Sequence, residues 1–368
     1  MEQIKEKNTE FALGKSKTNK QKVTMIIVLS ILAGLLVKLP FWLNLREDYY
    51  YNKNIGLIIF TMLMIYFAWQ NNLSKKIAGI ILGILALCAW YINALPYSES
   101  DSILLAGIHM NLLTWSVLGF VFTGNEFRNM TKRISFLKYN ADLLILSGLM
   151  LIASAMLTAM TIGLFQLIEI NIEKFYFDTI VVYGLAALPI VASYIVSENP
   201  NLVGKISPLI AKIFSPILLV MLFVYLIAIV FSGKNPYNDR EFLIIFNVLI
   251  LGVMALVLFS IVGSSAKNKY ELWILYALTV LTIIVSIVAL SAIIFRINEW
   301  GFTPNRTAIL GSNLLILTHL IIVNIQLFKV MSRNTNLELV EKSIAWYLPA
   351  YTIWAALVSF LFPIIFGH

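Results

Sequence analysis

The chain has 368 residues, of which 60% are hydrophobic and only 12% charged; its mean hydropathy is +0.86 and its formal charge +8. Soluble domains are roughly 45–50% apolar and about 25% charged, so an ordinary water-soluble enzyme, a disordered chain and a collagen-like repeat are excluded. The basic residues stand in short segments between apolar runs, where they orient membrane helices, so the positive balance argues for topology and against a nucleic-acid partner.

The first 22 residues are polar and include six lysines. They are read as a cytoplasmic tail, and residues 23–368 as a single integral-membrane domain. The apolar run from Val23 has no small-residue cleavage site and outlasts a signal-peptide core, so it is expected to stay as the first span. A helix needs about 20 apolar residues to cross ~30 Å of hydrocarbon. Within a few residues this is met by Val23–Leu43, Ile55–Gln70, Ile77–Leu95, Ile103–Thr123, Ala141–Ile170 and Phe177–Ser197, then by Leu209–Phe231, Phe242–Gly263, Leu272–Phe295, Thr307–Phe328 and Ser343–Phe366. Uniformly apolar runs of this length suit helices and not barrel strands, which alternate over about 10 residues. The expected fold is therefore all-α, a polytopic transmembrane helical bundle of about eleven spans. With the N-terminus inside, 19 of the 27 Lys and Arg residues fall on the inner side, 8 on the outer side, and the C-terminus lies outside. Pro189 and Pro216 fall within spans and kink them. Gly79-x-x-x-Gly83 and Ala155-x-x-x-Ala159 permit close helix approach.

The strong catalytic signatures are missing: there is no G-x-x-x-x-G-K-[ST], no H-E-x-x-H and no G-x-S-x-G. One cysteine, Cys88, and three well-separated histidines give no basis for a disulfide, a cysteine cluster or a multi-histidine metal site, and no cofactor is expected. Ser312 and His319 share a helix face but lie ~10 Å apart, too far for a nucleophile and its base. His319 sits near mid-bilayer, where an interhelical hydrogen bond to an Asn or Ser is the simplest expectation and a proton or ligand site the alternative.

The outer segment between the ninth and tenth spans, Arg296 to Arg306, reads R-I-N-E-W-G-F-T-P-N-R. Gly301 and Pro304 favour a fixed turn. Arg296 and Glu299 are three apart and could pair, and Thr303 or Asn305 could cap the next helix. Two readings follow. In one, the arginines anchor two span ends as a clasp. In the other, their planar guanidinium groups capture a phosphate or carboxylate. Lys38, His109, Asn111, Glu169, Asp178, Asn247 and Asn313 gather in the same outer half and would permit a hydrated cavity open to that side.

The hairpin residues Arg296, Ile297, Glu299, Trp300, Gly301, Thr303 and Arg306 resemble a late R-[IL]-x-E-[YW]-G-x-T-x-x-R segment of the bacterial polytopic membrane proteins grouped as domain of unknown function 4153, with Trp300 where tyrosine is usual. The motif covers eleven residues, and the layout of short-looped spans is similar over most of the chain. The resemblance implies a multi-pass protein of the bacterial inner membrane and implies no activity.

The expected function is non-enzymatic: binding or moving a small anionic or lipidic ligand near the outer leaflet. Arg296 and Arg306 would contact the anion, Glu299 would orient one arginine, and Lys38, His109 and Glu169 would line the approach. Membrane lipids are the expected surroundings. The alternatives are an intramembrane enzyme acting on a lipid-linked phosphate and a membrane-embedded scaffold or sensor subunit.

Overall fold

The computed structural model describes residues 17–96, 100–167, 170–199, 206–232, 237, 240–262, 269–333 and 336–367. Among them are eleven helices: α1 (Asn19–Leu43), α2 (Glu47–Gln70), α3 (Lys75–Ala94), α4 (Asp101–Thr123), α5 (Met130–Leu167), α6 (Glu173–Glu198), α7 (Ile206–Ser232), α8 (Arg240–Val262), α9 (Lys269–Trp300), α10 (Pro304–Arg333) and α11 (Glu338–Phe366). Ten are long and apolar enough to cross a membrane, and α7 contributes a shorter described apolar stretch, Lys212–Val224. The protein is a multi-pass membrane helical bundle.

The helices begin and end where backbone groups find partners, not where hydrocarbon would end. Thr18 and Gln21 form a reciprocal capping box on α1. Ser74 caps α3 and Ser100 caps α4. Asn129 accepts from the Thr131 and Lys132 amides at the start of α5, which extends to 38 residues and begins well before its apolar run, whereas α2 starts at Glu47, eight residues ahead of its own run, with no side-chain cap from Arg46.

Packing divides the helices into two groups. A first core joins α1, α2, α4, α6 and the start of α5 around Leu29, Leu63, Tyr66, Leu118, Phe136 and Ile190. A second joins α8, α9 and α10 with the start of α11 around Val257, Leu278, Leu320, Val323 and Ile344. Trp115 of α4 touches both cores, and α11 lies between α4 and α10. Lipid tails are as apolar as leucine, so close fit and interhelical hydrogen bonds must hold such helices together. The parallel pair α2 and α4 shows the fit most clearly. Gly107 receives Asn52, and Gly56 receives Asn111 so closely that a Cβ there would overlap the Asn111 carboxamide. An Asn-x-x-x-Gly face thus interlocks with a Gly-x-x-x-Asn face.

Contacts between helix ends define two ends of the bundle. At the hairpin end Asn305 donates to Asp101 at 2.6 Å and Ser102 donates to the Gly367 carbonyl at 2.5 Å. At the opposite, basic end Lys22 pairs with Glu198 at 2.7 Å and the Ser74 amide donates to Asn125 at 3.4 Å. These helix ends meet as the alternation of basic segments predicts.

Candidate functional site

The hairpin folds as a fixed turn. Gly301 adopts φ +76°, which only glycine tolerates readily, and its amide closes α9 onto the Ile297 carbonyl at 2.8 Å. Thr303 caps α10 by accepting from the Arg306 amide at 3.3 Å, and Pro304 takes the first helical position. Both arginines lie 5.7 Å from the Trp300 ring, one on each side of the turn in sequence. Arg306 donates through Nη1 to the Trp300 and Gly301 carbonyls, each at 2.9 Å, and Arg296 donates through Nε to the Tyr237 carbonyl at 3.0 Å. Glu299 is exposed and forms no ion pair with Arg296. The hairpin is therefore built as the clasp, its guanidinium groups turned onto the carbonyls that end α9 and flank α8.

The same device recurs elsewhere. Residues Tyr176–Val181 of α6 form a π-helical turn, and the buried Lys38 donates to the Asp178 carbonyl within it while lying 4.6 Å from the Phe41 ring. Lys53 is fully buried on α2; its ammonium reaches Tyr49 and, at 2.8 Å, the Leu95 carbonyl at the C-cap of α3. Proline 349 removes the donor that would satisfy the Ala345 carbonyl within α11, and Arg133 of α5 supplies one at 3.3 Å. Pro40 similarly frees the Leu36 carbonyl of α1, which accepts from the Tyr50 hydroxyl at 2.9 Å. A helix C-terminus carries roughly half a negative charge, so a cation placed there is stabilised without a carboxylate.

Among the described outer polar residues, Lys38 meets Asp178 at its backbone carbonyl, while His109 and Asn111 go to partners of their own. His109 is buried and bonds back to the Leu105 carbonyl of its own helix at 2.9 Å, while Lys38 serves α6. Asn111 packs on Gly56. Glu169 lies outside the described residues. His319 does make an interhelical hydrogen bond, but to Tyr351 at 3.0 Å and not to an Asn or Ser, and its ring stacks on Tyr347 at 4.6 Å. Ser312 accepts from Trp354 at 3.1 Å. Among the described residues no three His, Cys, Asp or Glu side chains stand close enough to hold a metal.

A polar cavity of about 640 Å³ lies at the basic end, inside the first group of helices. The last turns of α2, α4 and α6 form its walls through Gln70 and Asn71, Thr123 and Gly124, and Val196 and Ser197. The first turns of α5 close it with Lys132, Ser135, Lys138, Tyr139 and Asp142. Phe67, Phe122 and Tyr139 meet edge-on or tilted at 5.0–5.3 Å between ring centres beneath these polar groups. The Tyr139 hydroxyl donates to Ser193 at 2.8 Å. Asp142 is 5% exposed, and the Gln70 Oε1 is buried with no hydrogen-bond donor. At the rim Lys132 pairs with Glu126 at 2.9 Å, and Asn129 also donates to Glu126 at 3.0 Å; the Lys132 bond first, then that of Asn129, holds the Glu126 carboxyl below the usual carboxylate range.

Sequence reasoning passed over Asp142, Gln70, Lys53 and Arg133. The signal for Asp142 is a carboxylate as the second residue of an apolar run, a position that demands a polar neighbour. Lys53 and Arg133 look like ordinary flanking cations, because the carbonyls they serve leave no trace in a side-chain alphabet. No family model matches the chain, and no curated protein or solved structure matches it.

Proposed function

We propose that this membrane protein binds, and in doing so shuttles or senses, a small polar solute that it takes up in the basic-end cavity. The observation that carries the reading is the cavity itself: a volume of about 640 Å³ ringed by amides, hydroxyls and charges of both signs, at one end of the bundle. Ligand sites are concave, a few hundred to ~1,000 Å³ in size, and lined by apolar and aromatic walls with few convergent polar groups. The positive-inside alternation would place its mouth on the cytoplasmic face.

The native Cys88 is buried and provides little labelling background. A Ser135→Cys variant in inverted membrane vesicles should therefore react with an impermeant maleimide, while in right-side-out vesicles it should stay unmodified. Labelling only in the right-side-out vesicles, or in neither, would remove the cavity from consideration.

A second reading keeps an anionic or lipidic ligand at the hairpin, favoured by two guanidinium groups beside one half-exposed indole and by the exposed Glu299. Arg296→Gln together with Arg306→Gln should then abolish retention of an acidic phospholipid by the purified protein. Unchanged retention would leave the hairpin as a clasp only.

A further inference from the structure

We infer that a crevice between α4, α5 and α11 holds one acidic phospholipid of the leaflet at the basic end, its phosphate on Arg133 and one acyl chain along α4 and α11. This site is separate from the polar cavity and does not depend on it. The crevice lies where the two groups of helices meet. Trp115 and Phe120 of α4, Phe127 of the following loop, and Leu348, Pro349 and Thr352 of α11 line it. From Thr123 to Trp115 it runs eight residues along α4, or ~12 Å, close to the ~15 Å that one leaflet contributes to the hydrocarbon core. Its enclosed volume is only about 60 Å³, too little for a dissolved molecule. What fits is a chain that lies along the wall with its other side in the bilayer. Phe120 and Phe127 are 41% and 40% exposed and offer such a chain an aromatic surface.

Charge decides which lipid. Among the described residues Arg133 is the charged member of the wall, and no carboxylate lines it. Its Nε donates to the Phe127 carbonyl at 3.0 Å and its Nη1 to the Ala345 carbonyl at 3.3 Å, so the guanidinium is held in place. Both acceptors are neutral and leave its charge in force. Its Nη2 has no partner among the described residues and is not enclosed. The adjoining Arg128 is exposed, stands 5.7 Å from the Phe127 ring and pairs with no carboxylate among the described residues. The nearby Glu126 is already taken by Lys132 and Asn129. In the polar cavity, by contrast, two lysines stand against two carboxylates. Depth agrees as well. Trp346, 63% exposed, follows Ala345 on α11, and exposed indoles settle at the headgroup level. Arg133, bonded to the Ala345 carbonyl, lies at that level, where a phosphate oxygen can accept a charge-assisted hydrogen bond from Nη2.

The test places the full chain in phosphatidylcholine nanodiscs with a trace of phosphatidylglycerol that carries a diazirine midway along one acyl chain, irradiates it, and maps the cross-linked residues by mass spectrometry. A phosphatidylcholine probe with the same chains is the comparison. Cross-links should concentrate on residues 115–123 of α4 and 348–352 of α11, with a yield at least about fivefold higher from phosphatidylglycerol. Mapping also separates this site from the hairpin at the other end of the bundle. Arg133→Gln should remove the preference for phosphatidylglycerol. Thr352→Phe, which narrows the crevice and leaves Arg133 in place, should lower the yield from both probes there and serves if Arg133→Gln does not fold. Equal yields from the two probes, cross-links that map elsewhere, or yields unchanged in both variants would overturn the assignment. Loss of the cross-links on adding excess inorganic phosphate would identify a site for a free anion and overturn the lipid.

Discussion

The two ends of the bundle treat helix termini in opposite ways. At the hairpin end the last carbonyls of α3 and α9 are covered by Lys53 and Arg306, and the cations are consumed in doing so. At the basic end the last turns of α2, α4 and α6 converge on a cavity and the nearest wall lysine is paired with a glutamate instead. Cations near a membrane surface therefore say little about ligand charge until their acceptors are known. At the basic end neutral groups do the covering instead, as where the Asn71 side chain donates to the Phe122 carbonyl at 3.0 Å and that of Asn199 to the Ile195 carbonyl at 3.0 Å.

The largest expected effect comes from making one substitution at both ends. Lys53→Met removes the ammonium from the Leu95 carbonyl and from Tyr49, leaving only the Tyr49 hydroxyl, at 2.7 Å, on that carbonyl, and should cost about 1.5–3 kcal/mol, read as a clear drop in the thermal unfolding midpoint in detergent. Lys132→Met breaks a surface pair and should cost no more than about 0.5 kcal/mol. Equal losses at the two sites would break the contrast between the ends. Arg306→Ala comes next. It releases the two carbonyls that close α9, at a cost of about 1–2 kcal/mol, and should make the hairpin cleavable by protease while α10 stays folded. The smallest effect concerns pH. Because the Glu126 carboxyl is held below its ordinary value, its contribution is complete above the ordinary carboxylate range and is lost as pH falls through the depressed folded value. Amide exchange at Asn129 and Thr131 should therefore speed up on acidification, and Glu126→Gln should show the faster exchange already at neutral pH.

The run lengths, the alternation of basic segments, the Thr303 cap and the fixed turn at Gly301 could all be read from residues, because each depends on groups a few positions apart. The eleven expected spans correspond to eleven helices among the described residues, ten of them long and apolar enough to cross a membrane, for the same reason. What stayed hidden depends on neighbours distant in sequence. Nothing near Asn52 indicates that Gly107 will face it, and nothing near Asp142 indicates that the ends of α2, α4 and α6 will meet around it. Lys38 and His109 were read together because they share a depth, whereas the fold sends them to different helices. Arg296 and Arg306 were legible as a pair, but which of the clasp and the anion site they serve depends on the backbone carbonyls of Tyr237, Trp300 and Gly301.

The break in α11 at Pro349 has a mechanical consequence. Arg133 belongs to the helix that lines the cavity, while the Ala345 carbonyl it holds belongs to a helix rooted in the second core. At 3.3 Å this is the longest of the carbonyl bonds made by these cations, and it joins the two groups of helices. A tilt of one half against the other would be registered there, as slack or tension in a single guanidinium tether two to three turns of α5 from Asp142.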